Sequence, residues 1–321
     1  MISSLGGHAV RALIEQSAVE VDRPRCTRHR FARSTCRNCT SICPTGAIHW
    51  TETGLAVDGK SCSLCLLCTA QCPSEALRAS DQGWAALLND LSQHGRPVLG
   101  CRKHVTGAAH ARVPCLGQIA SPKVLLLLDL LFPDGLQINL SLCHDCENAT
   151  VPAVIKTTSD SLRAAGWVNR LKFIERPEDL DCPAPVLSRR EMFGFFKKRS
   201  VRSAGQVIER VLESSVARSY GDKTLPEVHE LLNRTINRLP ESPLAMTAQA
   251  LLQPALTISD QCSGCTGCVG VCPTGALEPA ENHRAAPKYQ VQRCVACGLC
   301  ASFCRRGAIE VTMPAVPAIV P

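Results

Sequence analysis

Cysteine, set in one spacing four times over, constrains this chain more than any other feature. The C-terminal region reads Cys262-x2-Cys265-x2-Cys268-x3-Cys272-Pro273 and then Cys294-x2-Cys297-x2-Cys300-x3-Cys304. The N-terminal region reads Cys62-x2-Cys65-x2-Cys68-x3-Cys72-Pro73, preceded by a partial copy, Cys36-x2-Cys39-x3-Cys43-Pro44. Each array runs into a similar tail: Thr45-Gly46-Ala47-Ile48, Ser74-Glu75-Ala76-Leu77, Thr274-Gly275-Ala276-Leu277 and Arg306-Gly307-Ala308-Ile309. The chain has 21 cysteines but only 3 Trp, 2 Tyr and 7 Phe, so cohesion has to come from something other than large aromatic cores.

The spacing has a geometric reason. An iron–sulfur cube presents its iron corners a few ångströms apart, and a C-x2-C-x2-C loop wraps three thiolates around one cube. The fourth cysteine lies beyond a turn, and the proline after it sends the chain toward a neighbouring site. Structural zinc needs only two cysteine pairs and leaves the third cysteine and the distal Cys-Pro unexplained. On these motifs, residues 22–81 and 255–312 each resemble the bacterial two-cluster ferredoxins. The crossed ligation of that family implies four 4Fe-4S clusters. One would be held by Cys262, Cys265, Cys268 and Cys304, and another by Cys294, Cys297, Cys300 and Cys272. A third would fall to Cys62, Cys65, Cys68 and Cys43, and the last to Cys26, Cys36, Cys39 and Cys72. Arg33 stands where the partial array should have its first cysteine, so Cys26 serves only if the loop is longer; a three-iron form or an empty site is the alternative. Arg305 replaces the usual proline without removing a ligand.

The longest apolar run, Val124 to Phe132, is broken by Asp129 and falls far short of the roughly 20 residues that span a bilayer. The start of the chain shows no basic region followed by an apolar core, so the sequence predicts a cytoplasmic protein whose cysteines are reduced ligands rather than disulfides. The formal charge of +7 invites a nucleic-acid reading, but it counts every thiol as neutral. Each oxidised 4Fe-4S site adds about −2, so four sites subtract about 8 and the nucleic-acid reading lapses. Arg23, Arg25, Arg28, Arg30, Arg33 and Arg37 crowd the first array, either to compensate cluster charge or simply to face solvent.

Residues 97–176 read as a small α/β unit. Pro97–Cys101 predicts a short buried strand, and Ser121-Pro122 predicts the start of a helix that Pro133-Asp134-Gly135 stops. Leu136, Ile138, Leu140 and Leu142 alternate with polar residues as in a strand, a helix is expected around Pro152–Ala165, and Val168–Ile174 reads as a further strand. Such alternation argues for a parallel sheet, with Cys101 and Cys143 at carboxyl ends of strands, where ligands bind in open α/β sheets. Cys101, Cys115, Cys143 and Cys146 could converge on one site. The order Pro114-Cys115-Leu116-Gly117, helix, strand, then Cys143-His144-Asp145-Cys146 resembles the iron–sulfur delta subunit family of methyl-viologen-reducing hydrogenase, which implies a 2Fe-2S cluster. Zinc on the same ligands, or a Cys143/Cys146 redox dithiol at a helix N-terminus, are the other readings. His144 reads as a polar loop residue, and Cys182 as an ordinary thiol.

Residues 177–204 hold prolines at 177, 183 and 185 and the string Ser188-Arg189-Arg190-Glu191-Met192-Phe193, followed by Phe195, Phe196 and Lys197-Lys198-Arg199. Such a segment is either a linker tucked against a domain or a peripheral contact with a membrane or an acidic partner. Two amphipathic helices should follow, one on Val207, Ile208, Val211, Leu212 and Val216, the other on Leu225, Val228, Leu231, Leu232, Ile236 and Leu239.

The expected architecture is α+β and multidomain, with two ferredoxin-like dicluster modules flanking a small α/β domain and a helical linker. The segments are 1–21 as N-terminal segment, 22–95 as first module, 96–180 as α/β domain, 181–250 as basic linker and helices, 251–314 as second module and 315–321 as tail. No nucleotide loop or nucleophile elbow is present, so no catalytic residue is assigned. The expected function is low-potential electron relay of the polyferredoxin type between redox protein partners, as part of a hydrogenase- or reductase-type complex. An oxidoreductase built on the Cys143/Cys146 dithiol and an assembly or regulatory protein with structural clusters are the alternatives.

Overall fold

The computed structural model describes residues 19–79, 83–104, 107–181, 219–239, 243–282 and 284–312. Cys182, the basic–aromatic segment from Pro183 onward and the expected helix over Val207–Val216 lie outside them. The chain is a mixed helix and strand structure with several small sheets rather than one large one.

Both ends share one plan. At the N-terminal end, Val19–Val21 pairs antiparallel with Leu77–Ala79, and Ile48–Thr51 with Gly54–Val57. At the C-terminal end, Ala255–Ile258 pairs with Ile309–Thr312, and Leu277–Glu278 with Lys288–Tyr289. In each half the strand before the first array therefore joins the strand after the second, and the two arrays lie between. The N-terminal ladder takes in Val19–Val21, three residues ahead of the boundary that the cysteine spacing suggests.

Between them sits a four-stranded, wholly parallel sheet. Across the sheet run Ala111–Val113, Val98–Cys101, Gln137–Asn139 and Lys172–Ile174. This is the strand order 2-1-3-4, in which the direction of winding reverses between the first and third strands. The helix Pro122–Leu131 starts with proline at a position where no backbone N–H is needed, and Val124 through Leu130 are all buried. Asp129 within that run is 1% exposed. Its carboxylate accepts from the Trp167 indole N–H at 3.1 Å, the Arg170 backbone N–H at 2.7 Å and the Arg170 guanidinium at 3.1 Å. The acid that interrupts the apolar run is thus a fully partnered core residue.

Two expectations change. The strand expected over Leu136–Leu142 is confined to Gln137–Asn139, and all three of its residues are buried. Parallel sheets are covered on both faces, and the polar side chains are satisfied within the protein. Gln137 exchanges hydrogen bonds with the Asp181 backbone, while Asn139 donates to Ala108 and accepts from Ser141. The last strand is confined to Lys172–Ile174, and Val168 is exposed.

The helix Glu227–Arg238 buries Val228, His229, Leu232 and Ile236 on one face, at the spacing read from the sequence. It packs against Pro122–Leu131 and reaches both ends of the chain. Its Val228 N–H meets the Glu75 carboxylate at 3.4 Å, while His229 and Asn233 meet the Gln292 carbonyl at 2.8 and 2.6 Å. The terminal modules also touch directly: the Phe31 and Phe303 rings lie 5.0 Å apart, edge to face. Arg30 donates to the carbonyls of Tyr220 and Gly270. Arg25 is buried and donates to Thr224 and Leu225, and Arg28 stacks 4.1 Å above the Trp50 ring. These three arginines of the first array are fastenings between segments. Arg33 faces solvent.

Candidate metal centres

All 20 described cysteines are free thiols. Among the described residues no three His, Cys, Asp or Glu side chains close around the point of a single metal ion. What groups the cysteines is mutual electrostatic influence. Cys26 and Cys39 feel Cys36 and Cys72. Cys65 and Cys68 feel Cys43 and Cys62. Cys297 and Cys300 feel Cys272 and Cys294. Cys268 feels Cys262 and Cys265, and Cys304 packs against the same small apolar core as Cys268.

Cys26 reaches its group by a route that the spacing alone did not display. The Asp58 N–H bonds the Ala47 carbonyl at 2.8 Å, and four residues later Cys62 donates back to Asp58. At the other edge of the module the Asp22 N–H bonds the Ala76 carbonyl at 2.7 Å, and four residues later Cys26 donates back to Asp22. Cys26 is therefore the topological counterpart of Cys62. The arginine-rich turn lies between Cys26 and Cys36.

The backbone between the cysteines is equally regular. In the three complete arrays the residues on either side of the middle cysteine have positive φ: Leu64 and Leu66, Gly264 and Thr266, Ala296 and Gly298. For four non-glycine residues this conformation costs on the order of 1 kcal/mol each. Alternating hands of this kind turn successive N–H groups toward one point and form a nest for an anion. Three sequences as different as Ser-Leu, Ser-Gly and Val-Ala ahead of the middle cysteine adopt it, so the common demand comes from the site and not from local propensity.

The tails supply hydrogen bonds to sulfur. The Ala76 N–H lies 3.2 Å from Cys72 Sγ and the Ala276 N–H 3.3 Å from Cys272 Sγ. Thr45, Ser74 and Thr274 each place a hydroxyl 3.6 Å from the sulfur of the cysteine two residues before. The hydroxyl residue after Cys-Pro in three tails was the sequence signal for this; Arg306 breaks it in the fourth. Such bonds stabilise thiolate charge. Burial would raise the Cys272 thiol, but the Thr274 hydroxyl and the N–H groups of Thr274, Ala276 and Leu277 outweigh it and hold it below its ordinary value. Elsewhere burial wins and pushes Cys39 and Cys300 up to about 12, with neighbouring cysteines adding to the rise. Bare thiols there keep their protons at neutral pH, so a metal has to displace them.

The fifth group lies at the reversal point of the parallel sheet. Cys101 ends the first strand, Cys115 follows the second, and Cys143 and Cys146 follow the third. Cys143 feels Cys101, Cys115 and Cys146, and burial is the main cause that pushes it up to about 12. The next helix begins only at Val151, so neither Cys143 nor Cys146 sits at a helix N-terminus as a low-pKa dithiol would require. His144 is exposed beside Asp145.

This group abuts the N-terminal module. Ser63, between Cys62 and Cys65, accepts from Asn148 at 3.1 Å and from Lys103, and Asn148 lies 3.8 Å from Cys115 Sγ. A Cβ on Gly117 would stand 1.9 Å from the Cys65 carbonyl oxygen. The two loops touch backbone to backbone, a contact to which the bare Pro-Cys-Leu-Gly string gave no clue.

An all-thiol donor set, backbone nests and N–H groups on sulfur suit polynuclear iron–sulfur clusters, which when bound carry single electrons. Residues 261–309 match the family model described as a 4Fe-4S dicluster domain. The comparisons with curated proteins and with solved structures each return no match. Among the described residues no helix is long and apolar enough to cross a membrane. The chain carries a ferredoxin-type, metal-binding module at its C-terminal end, the mark of an iron–sulfur electron-transfer protein.

Proposed function

We propose that the chain is a polyferredoxin-type electron conduit with two dicluster modules and four 4Fe-4S clusters, on the ligand sets that the resemblance implies. One observation carries this reading furthest. The N-terminal half repeats the ladder pairing of the half that matches the dicluster family, with four cysteines gathered at each of its two sites. The modules span about 19–79 and 255–312, and the α/β unit with its bridging helix holds them together.

The groups also form a series. Cys115 feels Cys65, Cys68 feels Cys39, and Cys300 feels Cys268. Cys72 and the Cys294/Cys297 pair share one neighbour, Lys123. A charge entering at one end has a next station at every step, which supports relay over isolated structural sites. We assign the central group a 2Fe-2S cluster as the fifth station, with zinc as its rival. The natural partners are redox proteins of a hydrogenase- or reductase-type complex docking at opposite ends of the series, where Cys265 is exposed and Cys146 half-buried.

The test is an anaerobic reduction of the full-length, cluster-loaded chain with dithionite, followed by reoxidation with a viologen dye. The expected result is reversible uptake of about one electron per cube, about 4 in all and 5 with a 2Fe-2S centre. Clusters that stay oxidised throughout would replace the conduit with a structural role.

A further inference from the structure

Two residues at the meeting point of the modules break local rules that their counterparts obey. Glu75 has φ +49°, while the equivalent residues of the other three tails are Gly46, Gly275 and Gly307, with φ of +65°, +71° and +63°. Glycine adopts this conformation freely, and a glutamate does so only at a cost in strain. Lys123 stands in the first turn of the Pro122–Leu131 helix, at the positive end of its dipole, where a cation is disfavoured. Local rules broken in pairs mark a function that offsets their cost.

The two act on each other electrostatically. Glu75 follows Cys72 by three residues and accepts from the N-terminus of the bridging helix at Val228. The Lys123 ammonium points at the Val295 carbonyl, 3.5 Å away, inside the Cys294–Cys297 loop. Burial works against both charges, lowering Lys123 and raising Glu75, and in each case the largest opposing influence is the other residue. Cys294, Cys297 and Cys72 further favour the charged ammonium.

We propose that Lys123 is a potential-setting residue shared by the Cys72 site of the first module and the Cys294/Cys297 site of the second, with the Glu75 carboxylate as an opposing charge near it. A fixed positive charge between two sites makes an added electron more favourable at both. It lowers the step where charge must cross from one module to the other, and the nearby carboxylate trims the effect. The inference rests on the cluster reading and adds to it a residue that is no ligand.

The test is a redox titration of the full, cluster-loaded chain followed by electron paramagnetic resonance, with Lys123→Gln, Lys123→Arg and Glu75→Gln variants. In Lys123→Gln two of the four cubes should become harder to reduce by about tenfold in the equilibrium, which is 59 mV for one electron, and the other two should not move. Lys123→Arg, which keeps the charge, should titrate as the parent does. Glu75→Gln should shift the same two cubes in the opposite sense. Unmoved midpoints at full iron content, or a uniform shift of all four, would overturn the role of Lys123 and leave the clusters standing. A parent chain without iron would instead fell the cluster reading, and this inference with it.

Discussion

Asp129→Ala is expected to cost about 3–5 kcal/mol of stability, the range for removing one partner of a buried ion pair. The carboxylate is 1% exposed and holds the Trp167 indole, the Arg170 backbone and the Arg170 guanidinium together. Without it, three donors lose their acceptor, one of them, the Trp167 indole, inside the core that supports the parallel sheet. Anaerobic denaturant unfolding should show a much lower midpoint with an unchanged slope. Asp129→Asn, which keeps one acceptor oxygen, should recover part of the loss. A midpoint within 1 kcal/mol of the parent would mean that the alanine variant admits water to these donors, and that the helix is held by its leucines alone.

Gly117→Ala should have the second large effect, and a more local one. The conformation at Gly117 is open to any residue, so the penalty is purely steric: the new methyl meets the Cys65 carbonyl oxygen at 1.9 Å. Neither side can yield cheaply. Cys65 lies between two left-handed residues, and Gly117 lies within the short helical turn Leu116–Ile119 that Cys115 caps. Overpacking of this kind costs about 3 kcal/mol. The loops should part, and iron should be lost first from the Cys43, Cys62, Cys65 and Cys68 site, about 4 per chain. Full iron content with an unaltered melting midpoint would show that the central group and the first module are not rigidly joined.

Much of this was legible because repetition amplifies it. Four arrays with four tails announce their sites, and the parallel sheet follows from helices and apolar runs in alternation. What stayed hidden depends on tertiary contact. The strand Ala111–Val113 is three residues of no distinctive pattern, made a strand by its neighbour Val98–Cys101. The partners that satisfy Gln137 and Asn139, at Asp181 and Ala108, lie far away in the chain. Cys26 could be matched to Cys62 only through backbone hydrogen bonds at the ladder ends. Glu75 is plain in the alignment of the four tails as the residue that is not glycine, yet its meaning needed Lys123 beside it.

The charge balance follows the same logic. A formal +7 belongs to the bare polypeptide. Buried arginines such as Arg25 fasten segments together, and Lys123 is influenced by Cys72, Cys294 and Cys297 of both modules.

The whole account depends on the thiols enclosing inorganic clusters at both ends of the chain. Iron, acid-labile sulfide and zinc should be measured on protein prepared without oxygen. The account predicts about 16 iron and 16 sulfide per chain, or about 18 of each with a binuclear centre in the parallel-sheet domain. A folded protein with about 8 iron, or with zinc in place of iron in the first module, would contradict it.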